Sequence, residues 1–324
     1  MTSRRAAATA WMLGGLIAAT AALGAGCDLL RDDAAPDAGL TGDAGFRPPR
    51  TDLVDPVGGP DTLDVACWNI EWFPKDDSTV ALVADLVASM DLDIVVVEEI
   101  SSVAAWDELV ARLPGYAAVL SPHRYTATSY QKIGMLYRED VVTLSEPEMI
   151  LATDSYTFPR PPLRVHATVA GGWTLDLVGI HLKAGEAPED RQRRQSAVRA
   201  LDAWMRAEID GGGDDELILL GDYNEDLAPE DGAPEDIVLA PLLDAPDRYR
   251  FRTSALAAAH TASFIPSGAL IDHIVTSAGL LDEVGDVSAV IPPLDREQPW
   301  YEQVVSDHLP VVLSIPLPPA QRAQ

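Results

Sequence analysis

Six short stretches of the 324-residue chain set acidic, amide or imidazole side chains directly beside apolar runs. They read Trp68-Asn69-Ile70-Glu71, Val97-Glu98-Glu99, Ile180-His181-Leu182-Lys183, Gly221-Asp222-Tyr223-Asn224, Ile271-Asp272-His273 and Ser306-Asp307-His308-Leu309-Pro310. A carboxylate next to a buried strand is costly unless it is paired or bound to a cation. One such case means little. Together, Asn69, Glu71, Glu99, His181, Asp222, Asn224, Asp272, Asp307 and His308 describe a single site. Its chemistry fits hydrolysis of a phosphate ester. Oxygen ligands such as Asn69, Glu71, Glu99 and Asp307 suit Mg²⁺ first, and Mn²⁺ or Ca²⁺ next, rather than zinc. A cation and hydrogen-bond donors offset the charge of the phosphoryl oxygens, and His308 beside a carboxylate can take a proton from water.

Strand-like and helix-like patterns alternate from residue 62 onward, and these must position that chemistry. Residues 62–70 and 93–97 are short β-rich apolar runs of the buried-strand kind. Between them Val80, Leu82, Val83, Leu86 and Val87 recur at helical spacing behind the cap candidates Asp77 and Ser78. Residues 104–113 read as a second helix. Residues 132–137, 163–169 and 173–180 read as strands, the last two joined at Gly171-Gly172. A long helix starts at Pro188, with Glu189 and Asp190 in its first turn, and stops near Gly211. Residues 217–220, 269–275 and 311–315 complete the strands. The pattern is a mixed, layered α/β domain over 62–324.

With those elements in place, the five motifs WN-x-E, E at a strand end, GD-x-N, DHI and SDH-x-P, taken in order, resemble the endonuclease/exonuclease/phosphatase superfamily. That group spans deoxyribonucleases, abasic-site endonucleases, sphingomyelinases and inositol-phosphate phosphatases. The resemblance covers about residues 62–316. It implies a layered α/β sandwich of two mixed, mainly antiparallel β-sheets flanked by helices. It further implies that Glu99 is the principal metal ligand, supported by Asn69, Glu71 and Asp307. His181 and Asn224 correspond to phosphate-contacting groups, and Asp272 to the partner that orients His308. Asp222 and His308 share the role of base. The chain departs from the family at Glu98, where Gln is common, which puts an extra charge beside the metal ligand. Glu71 is one methylene longer than the Asp of some relatives.

The chain carries 51 acidic and 23 basic residues, a net charge of −28, which opposes polyanion binding. The distribution softens this. Arg191, Arg193, Arg194, Arg199 and Arg206 gather on the long helix, and Arg248, Arg250 and Arg252 alternate with aromatics on one face of a strand. Lys183, Arg191, Arg194, Arg248, Arg250 and Arg252 are therefore candidate substrate contacts, against the plainer reading of solvated faces paired to the acidic excess. Cys67 reads as a buried small hydrophobe, His166 as an ordinary strand histidine and residues 225–236 as a solvated acidic loop. Trp300-Tyr301 is the one weak candidate for membrane docking.

Arg4 and Arg5 precede an uncharged apolar run that ends Leu23-Gly24-Ala25-Gly26-Cys27. This resembles a bacterial lipobox with Cys27 as lipid acceptor, although Leu23 stands one place further from the cysteine than usual. A cleaved secretory signal and an uncleaved anchor are the alternatives, and all three place the domain outside the cytoplasm. Residues 28–61, rich in Asp, Ala, Gly and Pro, read as a flexible tether. The first reading is thus an extracytoplasmic nuclease anchored through residues 1–27, with nucleic acid as partner and no protein partner inferred. A phospholipid phosphodiesterase or a phosphomonoesterase is the alternative. A non-catalytic surface lipoprotein is the rival from another class.

Overall fold

The computed structural model of the protein describes residues 46–213, 215–227, 237–280 and 285–317. The expected leader at 1–27, tether residues 28–45 and acidic residues 228–236 lie outside them. Two sheets make up the centre. The first has the order β12-β1-β2-β4-β3, from β1 (Thr62–Asn69), β2 (Ile94–Ile100), β3 (Tyr116–Leu120), β4 (Lys132–Arg138) and β12 (Val311–Pro316). The second has the order β10-β11-β9-β8-β7-β5, from β5 (Val142–Leu144), β7 (Leu163–Val169), β8 (Thr174–His181), β9 (Leu217–Asp222), β10 (Tyr249–Phe251) and β11 (Asp272–Ser277). The short β6 (Glu148–Met149) pairs with β7.

All strand pairs are antiparallel except β1/β2 and β8/β9. Each parallel pair lies inside its own sheet and is joined by a crossover helix, α1 (Thr79–Met90) or α3 (Pro188–Asp210). Parallel strands need such a crossover. The C-terminal ends of the two pairs meet, since Asn69 at the end of β1 is hydrogen-bonded to Asp222 at the end of β9, and polar residues of the sequence motifs stand at those ends.

Alternation along the strands defines three apolar layers. Leu63, Val65, Cys67, Ile94, Val96, Leu175, Leu177, Ile218, Leu220 and Ile274 point between the sheets. Trp68, Val95 and Val97 face the opposite way onto α1 and onto α2 (Val103–Arg112). Val178, Ile180 and Leu219 meet Ala197, Val198, Leu201 and Met205 of α3. Each fully buried aliphatic side chain of this kind contributes about 1.5–3 kcal/mol. α2 is capped by Ser102, whose hydroxyl accepts from the Ala105 N–H, and α3 begins with Pro188 at its first turn.

The expectation of a flexible tether over 28–61 does not hold for residues 46–61. Leu53 and Val54 are buried, and Arg47 makes a two-pronged ion pair with Asp85 of α1 at 2.6 and 2.8 Å. The Arg50 N–H donates to the same carboxylate at 2.8 Å. Two apolar anchors, and a buried acid that needs cationic partners, hold this segment down despite its loop-like composition.

Candidate active site

Strand parity aims the site. Asn69 continues the Val65–Cys67 series, Glu98 the Ile94–Val96 series, His181 the Leu175–Leu177 series and Asp222 the Ile218–Leu220 series. All four therefore face the space between the sheets at its open end. All four are buried. Asp272 starts the inward series that Ile274 continues, and His308 reaches the same place from the turn before β12.

At the site, two hydrogen bonds span the gap between the first sheet's side and the second's. Asn69 Nδ2 donates to Asp222 Oδ2 at 3.1 Å, and His308 Nδ1 lies 2.8 Å from Asp272 Oδ2. Asp222 also accepts from the Asn224 N–H at 2.7 Å. His181 Nε2 stands 3.4 Å from Asp222 Oδ2 and 3.9 Å from Glu99 Oε1. Behind His308, Tyr301 donates its hydroxyl to the His308 carbonyl at 2.5 Å while accepting from Trp68.

The acidic side of the site depends on unusual backbone. The β2/β4 register shifts between Val97 and Ile100, and Glu99 sits at φ 64° in the left-handed region. Such a bulge re-aims a side chain that plain alternation would send into the helical layer. Glu71 and Trp72 are also left-handed, at φ 36° and 51°. The Trp72 N–H donates to Glu99 Oε2 at 2.9 Å, and the Asp307 N–H donates to Glu71 Oε2 at 3.0 Å. Glu71, Glu99 and Asp307 thereby converge. Asp307 is raised above the ordinary aspartate value, first by burial and then by the charges of Glu71 and Glu99, against a lowering by His308. An all-oxygen set of mutually repelling carboxylates fits a hard divalent cation. Asp222, Asp272 and His308 form a second group whose donor atoms all lie within 4.8 Å of one another.

Burial and neighbouring charge also divide the proton-carrying groups. Burial, then Arg160 and His308, push His181 well below the ordinary histidine value, so it is neutral. Burial, then the charge of Asp272, pushes Asp222 up. Burial opposes the charge on His308, but Asp272 at hydrogen-bond distance, with Asp222 and Asp307, outweighs it and holds His308 up to about 10.

Glu98 departs from its expected role as an extra charge. It is fully buried, neither carboxyl oxygen has a partner among the described residues, and Oε1 lies against Gly221. Burial, then Asp272 and Asp222, raise it well above the ordinary glutamate value. Burial and the neighbouring carboxylates thus favour the protonated form of Glu98, which lessens the extra charge expected beside Glu99. Gly221 is a glycine for a reason: at φ 137° a Cβ there would meet the Ile180 carbonyl at 2.0 Å.

The arginine candidates do not join this site. Arg248 pairs with Asp210, Arg250 with Asp286, and Arg252 is buried against Thr276 and the carbonyls of Gly285 and Val287. β10 pairs with the Val275–Ser277 end of β11, the end remote from Asp272. Arg194 is buried on Glu225 and on the Lys183 and Gly185 carbonyls, and Arg191 also faces Glu225. Lys183 turns to Asp190 at 2.9 Å. Trp300 and Tyr301 are core residues, not an exposed hairpin. His166 pairs with Asp176 on the second sheet, and Cys67 is buried.

Sequence reasoning missed Arg160. Its Nε donates to the His181 carbonyl at 3.2 Å, Nη2 to the Leu182 carbonyl at 2.6 Å and Nη1 to Gln131 at 3.0 Å. It stands in a Pro-rich stretch with no motif around it, so only the fold reveals it. Lys75, which pairs with Glu71 at 2.5 Å, was also missed.

Residues 66–308 match the family described as Endonuclease/Exonuclease/phosphatase family. Solved structures agree in fold. An endonuclease/exonuclease/phosphatase from Bacteroides vulgatus is 17% identical, with TM-score 0.57, 79% of this chain and 99% of that one covered. The 3′ phosphatase NExo from Neisseria, bound to product DNA hairpin, is 18% identical with TM-score 0.54, covering 78% and 99%. The Xenopus laevis APE2 catalytic domain is 18% identical with TM-score 0.57, covering 79% and 93%. No curated protein matches the chain in sequence.

Proposed function

The chain belongs to the endonuclease/exonuclease/phosphatase family and is a metal-dependent phosphoesterase, and from this we propose that it hydrolyses nucleic-acid phosphodiester bonds outside the cytoplasm. One observation carries the proposal: the carboxylates Glu71, Glu99 and Asp307 stand beside the Asp272–His308 pair, with His181, Asp222 and Asn224 between them.

Glu71, Glu99 and Asp307 would hold the cation, Mg²⁺ first, with Asn69 fixing the Glu71 backbone by accepting its N–H at 3.1 Å. A hard divalent ion there offsets the negative charge of the phosphoryl oxygens. The chain's own groups do the rest. Neutral His181 and the Asn224 amide are donors for non-bridging oxygens. His308, kept charged by Asp272, is already protonated near neutral pH and serves as a cationic donor. Asp222, raised toward neutrality, takes the proton from the attacking water.

Nucleic acid is favoured over phospholipid because the aromatic pair Trp300-Tyr301 is buried, which removes the lipid-docking candidate. The fold's use by a 3′ phosphatase bound to a DNA hairpin adds support. The extracytoplasmic place and the lipid on Cys27 rest on the sequence of residues 1–27. Detergent phase partitioning of the full chain against Cys27→Ser tests the anchor; equal partitioning refutes it. Plasmid nicking in Mg²⁺, Mn²⁺ and Ca²⁺, beside EDTA and His308→Ala controls, tests the activity. Hydrolysis of a small phosphodiester without nicking would move the substrate away from nucleic acid.

A further inference from the structure

In a chain this acidic, most of the described Lys and Arg lie within 4 Å of a carboxylate of another described residue. Arg124, Lys132, Arg160, Arg193 and Arg199 do not; Arg124 and Arg160 stand in loops, Lys132 opens β4, and Arg193 lies in the second turn of α3. Arg160 and Lys132 are buried and bonded to neutral acceptors, Lys132 to the carbonyls of Ser121 and His123 at 2.5 and 2.8 Å. Arg160 brings its charge beside His181, and Lys132 holds its own beside His123 and Tyr130. Arg124 is exposed next to them, and Arg193 donates to the Tyr156 carbonyl at 2.7 Å.

The exposed large apolar residues follow the same geography. Three of them are aromatic: Trp72, 62% exposed, Tyr156, 57%, and Tyr125, 42%. Trp72 and Tyr125 are tied to the site by separate loops, and Tyr156 stands in a third, against the start of α3. Trp72 donates its N–H to Glu99 and its carbonyl accepts from Ser101, which holds the residue out in a left-handed conformation that costs energy to maintain. Tyr125 accepts from Arg160 at 3.3 Å, the same guanidinium that grips the His181 carbonyl. Tyr156 donates to Glu189 at the start of α3, and Arg193 lies over its ring, 4.6 Å from the centroid.

We propose that Trp72, Tyr125 and Tyr156, with Arg124 and Arg193, form a binding track for single-stranded nucleic acid, so that unpaired strands are the enzyme's substrate class. The inference rests on the nuclease reading above. Exposed rings gain binding from bases whose faces are free, and paired bases inside a duplex offer none. A net charge of −28 opposes a rigid duplex of high charge density, whereas a flexible strand can be held by a few local cations and ring faces. A lipid surface fits less well. The rings come from three separate loops, and the hydroxyls of Tyr125 and Tyr156 are engaged with Gln131 and Glu189 instead of projecting.

The test uses the full chain in Mg²⁺ with one fluorescein-labelled oligonucleotide, as a single strand and as a blunt duplex, beside bis-p-nitrophenyl phosphate. The expected result is a kcat/KM at least about tenfold higher on the single strand. Trp72→Ala and, independently, Tyr125→Ala should each raise KM for the single strand about tenfold with little change in kcat, and Trp72→Phe should restore it. Cleavage of both forms at equal rates, or unchanged KM in both alanine variants, overturns the track while leaving the nuclease reading standing. Hydrolysis of the small diester with neither oligonucleotide cut overturns the nuclease reading, and the track with it. Cosedimentation with phosphatidylserine vesicles that Trp72→Ala abolishes, without oligonucleotide binding, would assign the rings to a membrane and also overturn the proposal.

Discussion

Asp272 opens β11 of the second sheet and His308 stands in the turn before β12 of the first, yet the imidazole Nδ1 and the carboxylate Oδ2 meet at 2.8 Å in a buried contact. The Asp272 charge fixes which face of the ring is turned inward, and Nε2 is left toward Asp307, 3.9 Å away.

Replacing Asp272 by Asn keeps the shape and removes the charge that holds the ring protonated. Turnover should fall roughly a hundredfold to ten-thousandfold, with a smaller change in KM. Steady-state kinetics on a small phosphodiester measures this, and a variant within threefold of wild type would dismiss the pair as catalytic machinery.

The same contact makes stability depend on pH. The His308 value is raised from 6.5 to about 10, so its contribution is complete below 6.5 and is lost as the pH climbs through about 10. In EDTA, the destabilisation caused by His308→Gln should therefore be greater near pH 6.5 than above about 10. Urea unfolding at the two pH values gives the difference directly, and a gap that stayed constant would contradict the assignment.

Glu99→Gln removes one of the three converging carboxylates without changing its size. The divalent-ion concentration for half-maximal activity should rise by at least about tenfold, since even outer partners of metal ligands cost that much. A titration of Mg²⁺ against rate decides it, and an unchanged midpoint would move the ion elsewhere.

Glu98→Gln replaces a buried acid, pushed toward its protonated form, by its near isostere. Stability and metal requirement should both stay close to wild type, whereas Glu98→Ala should lose about 1–3 kcal/mol through the space left beside Gly221. Thermal melts and the same Mg²⁺ titration test both; a large shift in ion preference for Glu98→Gln would show that this carboxyl is charged after all.

Much of this was legible in the sequence because period-two alternation and chemistry agree. The apolar residues of β1, β8 and β9 run inward up to Asn69, His181 and Asp222, so a strand reading already places those three together. Glu98 and Glu99 were harder. Neighbours on a regular strand face opposite ways, and only the bulge after Val97 explains how one is sealed in the core while the other reaches the acidic cluster. The arginines misled because spacing gives a common face but not which end of the sandwich it occupies. Arg250 in β10 and Arg248 just before it stand at the wrong end. Arg160 had no motif to mark it, since its partners are main-chain carbonyls that any sequence supplies.

Neither sheet carries the whole site: Asn69, Glu71, Glu99 and His308 stand on or beside the strands of one, His181, Asp222, Asn224 and Asp272 on or beside those of the other. The enzyme is therefore assembled by docking, and its rate reports how well two slabs are seated on each other. A sub-ångström slip along their shared apolar layer would leave every strand and helix intact and still separate the acid from its histidine. Under gentle denaturation, activity should vanish with the aromatic near-ultraviolet signal of packed tryptophans, ahead of any loss of secondary structure.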